Sequence, residues 1–444
     1  MSDTDFPYGN RADSDAGLLV RREKLLGKNT PLFYEQPLHL VRGEGVHLYD
    51  ADGQQYLDVY NNVANVGHCH PRVVQALSAQ AATLNIHTRY LHETILEYGE
   101  NLTKTFADPL SMVMFTCTGS EANDLAMRMA RHTTGAKGII CTNETYHGNT
   151  AAVDALATLF GGGQPRGENV KSVPFPDGYR PQDNLHGRAL CDAYLRAIDQ
   201  AIAEFEEEGV GFAGVLMCPI FANEAVPSVP AGYLSGVADR VRANNGLLIF
   251  DEVQSGFGRT GSMWGYEFVG VQPDIVTLGK PMGNGHPIAG VVASPELVNS
   301  FRADVMYFNT FAGNPVSCAV AKAVLEVVHE EKLVQNAEDV GHYLRAGLCD
   351  LQQHYEAIGD VRGPGLFIGV ELVRDRISKA PAPELAARVI NKMKAKHVLI
   401  SKIGPFDNVL KIRPPIVFSK ENADQLLETL DLVLKELALE GGVL

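Results

Sequence analysis

An aspartate and a lysine, each at the end of a predicted strand, are the residues of this sequence best suited to chemistry. The apolar run 247–250 leads directly into Asp251, and the run 274–278 leads through Gly279 into Lys280. In open α/β sheets ligands bind beyond the carboxyl ends of the strands, so we expect both side chains to meet a ligand. A lysine that leaves a buried strand is not an ordinary surface lysine, whereas Asp251 taken alone could equally cap a helix.

Lys280 and Asp251 together fit a site for pyridoxal 5'-phosphate (PLP). A lysine whose pKa is lowered by burial forms a Schiff base with an aldehyde, and an aspartate can keep a pyridinium nitrogen protonated. The phosphate of this cofactor needs an anion-binding site. Thr118-Gly119-Ser120 can supply one, because these residues connect a strand to the N-terminus of a predicted helix over 121–134. N-capping by Ser120 explains this turn equally well when the turn is taken alone.

Apolar runs that alternate with helical patterns predict the elements that position these residues. Strand-length runs occur at 112–115, 138–141, 214–217, 247–250 and 275–278. Helical spacing gives the segment 121–134 one apolar face, which packs on the sheet. The pattern predicts an α/β large domain with a mostly parallel central sheet flanked by helices.

The remainder of the chain predicts a smaller α+β domain. Helices are expected near 315–331, 334–355, 384–397 and 421–438, with a strand pair within 359–372 and two short strands that turn at Asp52-Gly53. The predicted division is an N-terminal segment 1–60 that contributes to the small domain, a large domain 61–320 and a small domain 321–444. Residues 160–188 are rich in Gly, Pro and Asn and are predicted to form a functional or surface loop.

Composition excludes several classes of function. The formal net charge of -15 and the absence of a basic run argue against nucleic-acid binding. Seven scattered cysteines without C-x-x-C spacing suggest neither disulfides nor a zinc site, and His68-Cys69-His70 lacks further ligands at a fitting spacing. No apolar stretch is long enough to span a bilayer, so the expected compartment is the cytoplasm.

Five stretches of the sequence resemble the class III aminotransferase family of fold-type-I PLP enzymes. These are TGSEAND (118–124), TYHGN (145–149), DEVQSGFGRTG (251–261), GKPMGNG (279–285) and FNTFAGNPVSCA (308–319). The resemblance extends from about residue 20 to residue 438, and stretches of this length in this order are highly specific. It implies that the active unit is at least a homodimer, and that pairs of dimers could form a tetramer.

The resemblance also implies a role for each matching residue. Lys280 is the Schiff-base lysine and the proton carrier, and Asp251 is the partner of the pyridinium nitrogen. The other implied cofactor contacts are Val253 and Tyr146 on the two ring faces, with His147 beside the stacking residue, and Gln254 at the phenolic oxygen. Gly119 and Ser120 bind the cofactor phosphate, and Thr310 of the neighbouring subunit joins them there.

The substrate region departs from the family's usual pattern. Typical members carry Arg before Ile and a Pro pair, where this chain has Lys411 followed by Arg413, and Cys218 stands where a glutamate is common. A lysine is a point charge and cannot hold a carboxylate in a two-pronged grip. An ordinary amino-acid transaminase is therefore not the expected activity. Arg413 could bind a substrate phosphate, or it could be a surface residue that faces away.

Further stretches are similar to the phospho-lyase branch of the family, whose members act on ethanolamine phosphate or phosphohydroxylysine. They are GHCHP (67–71), PDGYR (176–180), YFNTFAGNPVSCAV (307–320), GDVRGPGLFIGVEL (359–372) and the lysine at 411. The expected reaction is β-elimination of phosphate from O-phosphoethanolamine or a related phosphorylated amine, which gives an aldehyde, ammonia and phosphate. The alternatives are an aminotransferase that uses a keto acid such as pyruvate, and an inactive relative.

Four more residues are candidates for the substrate pocket because they lie in regions that the family uses for substrate. They are Lys28, Asn61, Asn62 and Arg89. The competing interpretation of Arg89 is a salt bridge at a subunit interface. For the two asparagines it is turn formation.

Overall fold

A central sheet, two smaller sheets and the helices that cover them make up the fold. The computed structural model describes residues 15–159 and 167–440. In these residues the strands are β1 Leu40–Glu44, β2 His47–Asp50, β3 Gln55–Asp58, β4 Met112–Thr116, β5 Gly138–Thr142, β6 Val170–Val173, β7 Phe212–Met217, β8 Leu247–Asp251, β9 Ile275–Leu278, β10 Ala289–Ala293, β11 Ile358–Arg362, β12 Ile368–Leu372, β13 Val398–Leu399, β14 Ser401–Ile403 and β15 Val409–Ile412.

The helices of the same residues pack on both faces of the central sheet and around the smaller sheets. They are α1 Asp15–Leu26, α2 Pro71–Thr83, α3 Glu93–Thr103, α4 Gly119–Thr134, α5 Ala151–Asp154, α6 Gly187–Glu207, α7 Tyr233–Ala243, α8 Gly265–Val269, α9 Pro295–Asp304, α10 Pro315–Glu330, α11 Leu333–His354, α12 Pro383–Ala395 and α13 Lys420–Leu439. Within the described ranges, no helix combines the length and the apolar character that crossing a membrane requires.

The central sheet has the strand order β4-β10-β9-β8-β7-β5-β6, and β10 runs against both of its neighbours. The pairs from β9 to β6 are parallel. Successive side chains of a strand point to opposite faces, so Ile249 joins the apolar cluster under α4 while Leu248 and Phe250 join the cluster under α6 and α7. The predicted mostly parallel sheet with helices on both faces is confirmed.

Helix α4 begins two residues earlier than predicted because Thr118, not Ser120, caps it. The Thr118 side chain accepts a hydrogen bond from the backbone N–H of Glu121, and the Glu121 carboxylate accepts one from the Thr118 N–H at 3.1 Å. This reciprocal pair is a capping box. The interpretation of Ser120 as the N-cap is wrong, and its hydroxyl instead accepts the N–H of Asn149 at 3.1 Å.

Two four-stranded sheets build the second part of the molecule. One has the order β11-β12-β15-β14, and the other has the order β1-β2-β3-β13. Parallel pairing of β3 with β13 joins the segment around residue 57 to the C-terminal part of the chain. The predicted strand pair and the four predicted helices correspond to β11, β12 and to α10 to α13, within one or two residues at each end. The predicted boundaries of the domains stay a prediction.

The prediction of an irregular loop over 160–188 is wrong in part. Residues 160–166 lie outside the described residues, but Val170–Val173 form β6 at the edge of the central sheet, and α6 begins at Gly187. The strand sequence VKSV is too short to show a period, and it becomes a strand through its parallel pairing with β5. Local sequence cannot report such pairing.

Candidate active site

Asp251 and Lys280 lie at the same edge of the central sheet because they follow two adjacent parallel strands. Asp251 is the last residue of β8 and pairs in register with Thr277 of β9, three residues before Lys280. Asp251 does not cap a helix, since α8 begins only at Gly265. The predicted juxtaposition of the two residues therefore follows from the strand order.

Donors surround the buried carboxylate of Asp251. Its Oδ2 atom lies 2.7 Å from His147 Nδ1 and accepts a hydrogen bond from Asn123 Nδ2 at 3.0 Å, while Oδ1 accepts the N–H of Val253 at 2.9 Å. Burial alone would raise the pKa of Asp251, but the hydrogen bond and charge of His147, together with the charge of Lys280, lower it below its usual value. Asp251 therefore stays ionised, as a partner of a pyridinium nitrogen must.

Lys280 begins a turn of 3-10 helix directly after Gly279 and keeps solvent-accessible surface. Burial among protein atoms nevertheless lowers its pKa to about 8, with Asp251 opposing the shift and Arg413 adding to it. Part of the Lys280 side chain meets solvent, but protein atoms surround its ammonium group, and this loss of hydration lowers the pKa. A fraction of Lys280 is therefore a neutral amine near neutral pH.

Close packing at the N-terminus of α4 forms a cradle between two strand ends. A Cβ on Gly119 would lie 3.0 Å from Val253 Cγ2, and a Cβ on Gly148 would lie 2.5 Å from Ser120 Oγ. Gly148 also has a φ of 142°, which a residue with a side chain rarely adopts. The cradle brings Gly119, Ser120 and Val253 together at a helix N-terminus, where a phosphate is favoured. These residues, with Asp251 and Lys280, fit PLP.

Tyr146 and His147 occupy the loop between β5 and α5 next to this cradle. His147 is buried and bridges Asp251 and the hydroxyl of Thr145, which lies 3.0 Å from His147 Nε2. Tyr146 is half-buried, and its backbone carbonyl accepts a hydrogen bond from Asn223 Nδ2 at 2.9 Å. His147 thus contacts Asp251 directly, a contact that the resemblance alone did not specify.

Two cations converge on one amide oxygen on the other side of the site. Gln254 Oε1 accepts hydrogen bonds from Lys411 Nζ at 3.4 Å and from Arg413 Nη1. Residues 411 and 413 point to the same face because side chains two apart in an extended strand do so. Arg413 is 7% exposed, so the alternative of a surface residue that faces away is wrong. Burial, followed by the charges of Arg413 and Lys280, lowers the pKa of Lys411 well below its usual value.

Two buried side-chain donors in this part of the molecule have no hydrogen-bond partner among the described residues. One is Nε of Arg413, and the other is Nδ2 of Asn62, whose backbone N–H donates to the carbonyl of Tyr60 at 3.1 Å. The backbone N–H of Arg413 donates to the carbonyl of Val59 at 2.9 Å, and its guanidinium lies 4.4 Å from the centre of the Tyr60 ring. A buried donor without an acceptor costs free energy, so this arrangement suits a ligand that supplies acceptor oxygens.

Besides Lys280, three predicted site residues are exposed in the single chain. Lys28 follows α1, Arg89 stacks its guanidinium 4.0 Å from the centre of the Phe308 ring, and Thr310 lies between Phe308 and Phe311. In the described chain neither Lys28 nor Arg89 has a hydrogen bond to the site residues named above. An exposed Thr310 agrees with a role in a neighbouring subunit, and that role stays a prediction.

Sequence reasoning missed three polar residues at the site, namely Asn123, Asn223 and Glu224. Asn123 donates to Asp251 and accepts the Thr277 hydroxyl at 2.6 Å, and Asn223 accepts from Gln254 Nε2 at 3.0 Å. Glu224 is buried beside Asn223. The available signal was a polar residue on the apolar face of α4 at position 123, and a carboxylate within the otherwise apolar stretch after β7 at position 224.

Comparison with known proteins agrees with this geometry. The family model described as aminotransferase class-III matches residues 33–434. A solved structure of a phospholyase from Arthrobacter in complex with phosphoethanolamine is 46% identical, covers 94% of this chain and 99% of that chain, and superposes with a TM-score of 0.91.

Curated relatives carry names of two kinds. A protein of Drosophila melanogaster named alanine-glyoxylate aminotransferase 2-like is 43% identical over 94% of this chain and 87% of its own length. A protein of Caenorhabditis elegans named ethanolamine-phosphate phospho-lyase homolog 1 is 36% identical over 94% of this chain and 93% of its own length. The relatives therefore agree on the family and divide between two reactions.

Proposed function

Since the chain belongs to the class III aminotransferase family of PLP-dependent enzymes, we propose that it is a phospho-lyase acting on O-phosphoethanolamine or a related phosphorylated amine. The reaction is β-elimination of phosphate, after which the remaining enamine takes up one water, and its products are an aldehyde, ammonia and phosphate. The observation that carries the proposal is the buried pair Lys411 and Arg413, in which Nε of Arg413 has no hydrogen-bond partner within the described residues.

The charge of this pair matches a phosphate better than a carboxylate. Within the described chain, neither Lys411 nor Arg413 forms an ion pair with a carboxylate, and both are buried. A buried cation is stable only with a compensating charge. A phosphate monoester brings about two negative charges near neutral pH and three acceptor oxygens, whereas a carboxylate brings one charge. We therefore place the substrate phosphate at Lys411, Arg413 and Asn62.

The cofactor side supplies the other half of the proposed reaction. Bound PLP withdraws electrons from the carbon next to the substrate nitrogen. Lys280 would hold the aldehyde carbon of the cofactor until the substrate amine replaces it and frees Nζ, and Asp251 would keep the ring nitrogen protonated. Gly119 and Ser120 would hold the cofactor phosphate together with Thr310 of a neighbouring subunit. Val253 and Tyr146 would contact the two ring faces, and Gln254 the phenolic oxygen.

The proposed elimination breaks two bonds of the substrate. Lys280 Nζ takes the proton from the carbon that carries the amine, and the bond between the neighbouring carbon and the phosphate oxygen then breaks. The departing phosphate keeps the electron pair of that bond. Lys411 and Arg413 stabilise its charge because they are fixed in place before the bond breaks.

An aminotransferase is the second candidate, because the Drosophila relative at 43% identity carries that name. Such an enzyme would retain the substrate nitrogen on the cofactor and pass it to a keto acid such as pyruvate. It would therefore release no phosphate and would require an acceptor for turnover. These requirements separate the two reactions in one assay.

The deciding experiment measures inorganic phosphate released from O-phosphoethanolamine by the PLP-loaded enzyme, with and without pyruvate. We expect release in stoichiometry with acetaldehyde, at the same rate in both arms, and none from the Lys280→Ala variant. Consumption of pyruvate with formation of alanine and no phosphate would establish the aminotransferase instead. A parallel arm with phosphohydroxylysine identifies the preferred phosphorylated amine.

We propose that the enzyme is a homodimer, and that its dimers could pair further. The segment around Thr310 carries exposed apolar side chains, with Met306 82% exposed and Phe311 72% exposed in the single chain. Apolar groups of this size become covered at interfaces between subunits. Light scattering during gel filtration of the purified enzyme measures the assembly.

A further inference from the structure

Asp58 is a buried carboxylate that the proposed reaction does not use. It is the last residue of β3 and is 0% exposed, and its backbone N–H donates to the carbonyl of Val46 at 2.8 Å. Its Oδ1 atom accepts the backbone N–H of Tyr60 at 3.0 Å and that of Asn61 at 2.9 Å. Because strand pairing fixes the backbone of Asp58, its side chain can hold the start of the following segment in one geometry.

The second oxygen of Asp58 contacts a histidine that the same sheet holds in place. Oδ2 lies 2.7 Å from His68 Nε2. The backbone of His68 exchanges two hydrogen bonds with Gly45, at 2.7 Å and 3.1 Å. A Cβ on Gly43 would lie 2.8 Å from His68 Cβ, so the histidine packs closely against the chain between β1 and β2. Both oxygens of Asp58 therefore have partners, and the carboxylate cannot rotate without losing one of them.

The turn that Asp58 holds, residues 59–62, contacts Arg413 at two points. The carbonyl of Val59 accepts the backbone N–H of Arg413 at 2.9 Å, and the centre of the Tyr60 ring lies 4.4 Å from the guanidinium. Phe33 packs edge-on against the Tyr60 ring, with 5.0 Å between the ring centres. The turn therefore holds Arg413 through its backbone and through one face of its guanidinium.

Asn62 ends this turn and is 2% exposed. Its backbone N–H donates to the carbonyl of Tyr60 at 3.1 Å. Its Nδ2 group, like Nε of Arg413, has no hydrogen-bond partner in the part of the chain that the structure describes. A different geometry of the turn 59–62 would move Asn62 and release one face of Arg413, so the placement of both residues depends on how the turn is held.

We propose that Asp58 is a positioning residue of the substrate side, which together with His68 fixes the turn 59–62 against Arg413. Asp58 thereby sets how tightly the enzyme binds a phosphorylated substrate. Donors that are already in place bind an anion more tightly, because binding then costs less ordering. The inference rests on the proposed placement of the substrate phosphate at Arg413 and Asn62.

The test uses the PLP-loaded enzyme and two measurements. Calorimetry gives the affinity for inorganic phosphate, and steady-state kinetics give KM and kcat for O-phosphoethanolamine. Because the cofactor fills its own phosphate site, added phosphate reports on the substrate side. Asp58→Ala removes the acceptor of both N–H groups of the turn, so we expect the dissociation constant of phosphate and KM to rise by about tenfold, while kcat and PLP affinity stay within about twofold. Asp58→Asn keeps an acceptor oxygen and should restore most of the phosphate affinity.

His70→Gln is the matched control, because His70 lies two residues from His68 and contacts Glu331 instead, with Nε2 3.2 Å from Oε1. Its phosphate affinity should equal that of the wild type. Should Asp58→Ala fail to fold, His68→Phe decides, since it keeps a ring, removes the contact with Asp58 and should weaken phosphate binding by about threefold.

Two outcomes contradict this inference in different ways. If Asp58→Ala and His68→Phe bind phosphate within about twofold of the wild type, with or without a lower melting temperature, the inference is overturned and the proposed function stands. If the wild type binds no phosphate, both are overturned. Phosphate affinities that follow the expected order, without phosphate release from O-phosphoethanolamine, support the inference and overturn the proposed function alone.

Discussion

The cofactor side and the substrate side of the site differ in how completely the chain satisfies its own polar groups. Around Asp251, the carboxylate accepts hydrogen bonds from His147, Asn123 and the backbone of Val253. Around Lys411 and Arg413, two cations share the single oxygen of Gln254, and buried donors have no partner within the described residues.

This difference indicates what each side binds. A satisfied network keeps its geometry by itself and suits a ring that stays in place through many turnovers. An unsatisfied cluster is stable only when an anion completes it, so it favours a substrate that brings negative charge. On the proposed function, the cofactor side would set the type of chemistry, and the substrate side would select the reaction within the family. Five experiments test this contrast between the two sides of the site.

Removal of the amine at Lys280 has the largest expected effect. Lys280→Ala loses both the covalent hold on PLP and the group that moves the proton, so we expect phosphate release to fall by about 10⁴-fold. Borohydride treatment should fix cofactor to the wild-type chain at Lys280 and not to the variant. If the variant still releases phosphate at more than a tenth of the wild-type rate, Lys280 is not the proton carrier.

The second experiment removes the charge at the centre of the hydrogen-bond network around Asp251. Asp251→Asn removes one member of a buried charged pair, which costs about 3–5 kcal/mol, so phosphate release should fall by about 10²-fold to 10⁴-fold. The fall should appear in kcat, because the substrate cluster is intact. A variant whose defect lies entirely in KM would contradict the division between the two sides. Asn123→Ala, which leaves the Asp251 charge in place, is the milder control.

The third test removes charge from the unsatisfied cluster. Lys411→Met keeps the length of the side chain, and loss of one hydrogen bond to a charged group, about 1.5–3 kcal/mol, should raise KM for O-phosphoethanolamine by about 10-fold to 100-fold. Cofactor binding should be unchanged. Lys411→Arg keeps the positive charge on a planar guanidinium that can form two hydrogen bonds to a carboxylate. Transamination of alanine with a keto acid should therefore improve relative to phosphate release. If Lys411→Met lowers both activities equally, Lys411 does not select a substrate phosphate.

The fourth experiment uses a pH profile to measure how Arg413, on the substrate side, affects the pKa of Lys280, on the cofactor side. Burial first, and Arg413 in addition, lowers the pKa of Lys280 to about 8. The rate at which the cofactor-free enzyme takes up PLP should therefore rise with pH and reach half its maximum near that value, because the neutral amine is the reactive form. Arg413→Met removes a positive charge that disfavours the ammonium form, so the midpoint should move upward by about half a pH unit to one pH unit. A downward shift would mean that Arg413 does not act on Lys280 by charge.

The smallest expected effect concerns the subunit interface. Thr310→Ala should weaken PLP binding by about threefold to tenfold, the loss expected for one hydrogen bond, while the melting temperature of the cofactor-free protein stays the same. Thr310→Ser keeps the hydroxyl and should bind PLP as the wild type does. Unchanged cofactor affinity in Thr310→Ala would remove Thr310 from the phosphate site.

Much of the site could be found from the sequence because its residues follow recognisable local patterns. Asp251 and Lys280 each end an apolar run, and such runs become buried parallel strands whose ends share one edge of the sheet. Position 119 needs a glycine because α4 begins against Val253. Strand period, strand ends and glycine turns are properties of neighbouring residues, so the sequence shows them directly.

Contacts between distant segments could not be found in this way. Asn123 meets Asp251 across 128 positions, and Lys411 meets Gln254 across 157 positions. The cap at Thr118 was missed because Ser120 has the same capping chemistry. A polar residue on an apolar helix face or strand indicates a partner, but it does not identify which distant residue provides it.

The local sequence was enough to predict that Asp251 and Lys280 lie at the ends of two strands at one edge of the sheet, and that Lys411 replaces the arginine usual in the family. Only the fold as a whole brings Arg413 inward, joins Gln254 to Lys411 and Arg413, and brings Asn123 to Asp251. The two kinds of information differ in the distance along the chain over which the underlying interactions act. Backbone propensities and periods act over a few residues, whereas burial and the pairing of charges depend on which surfaces the whole fold brings together.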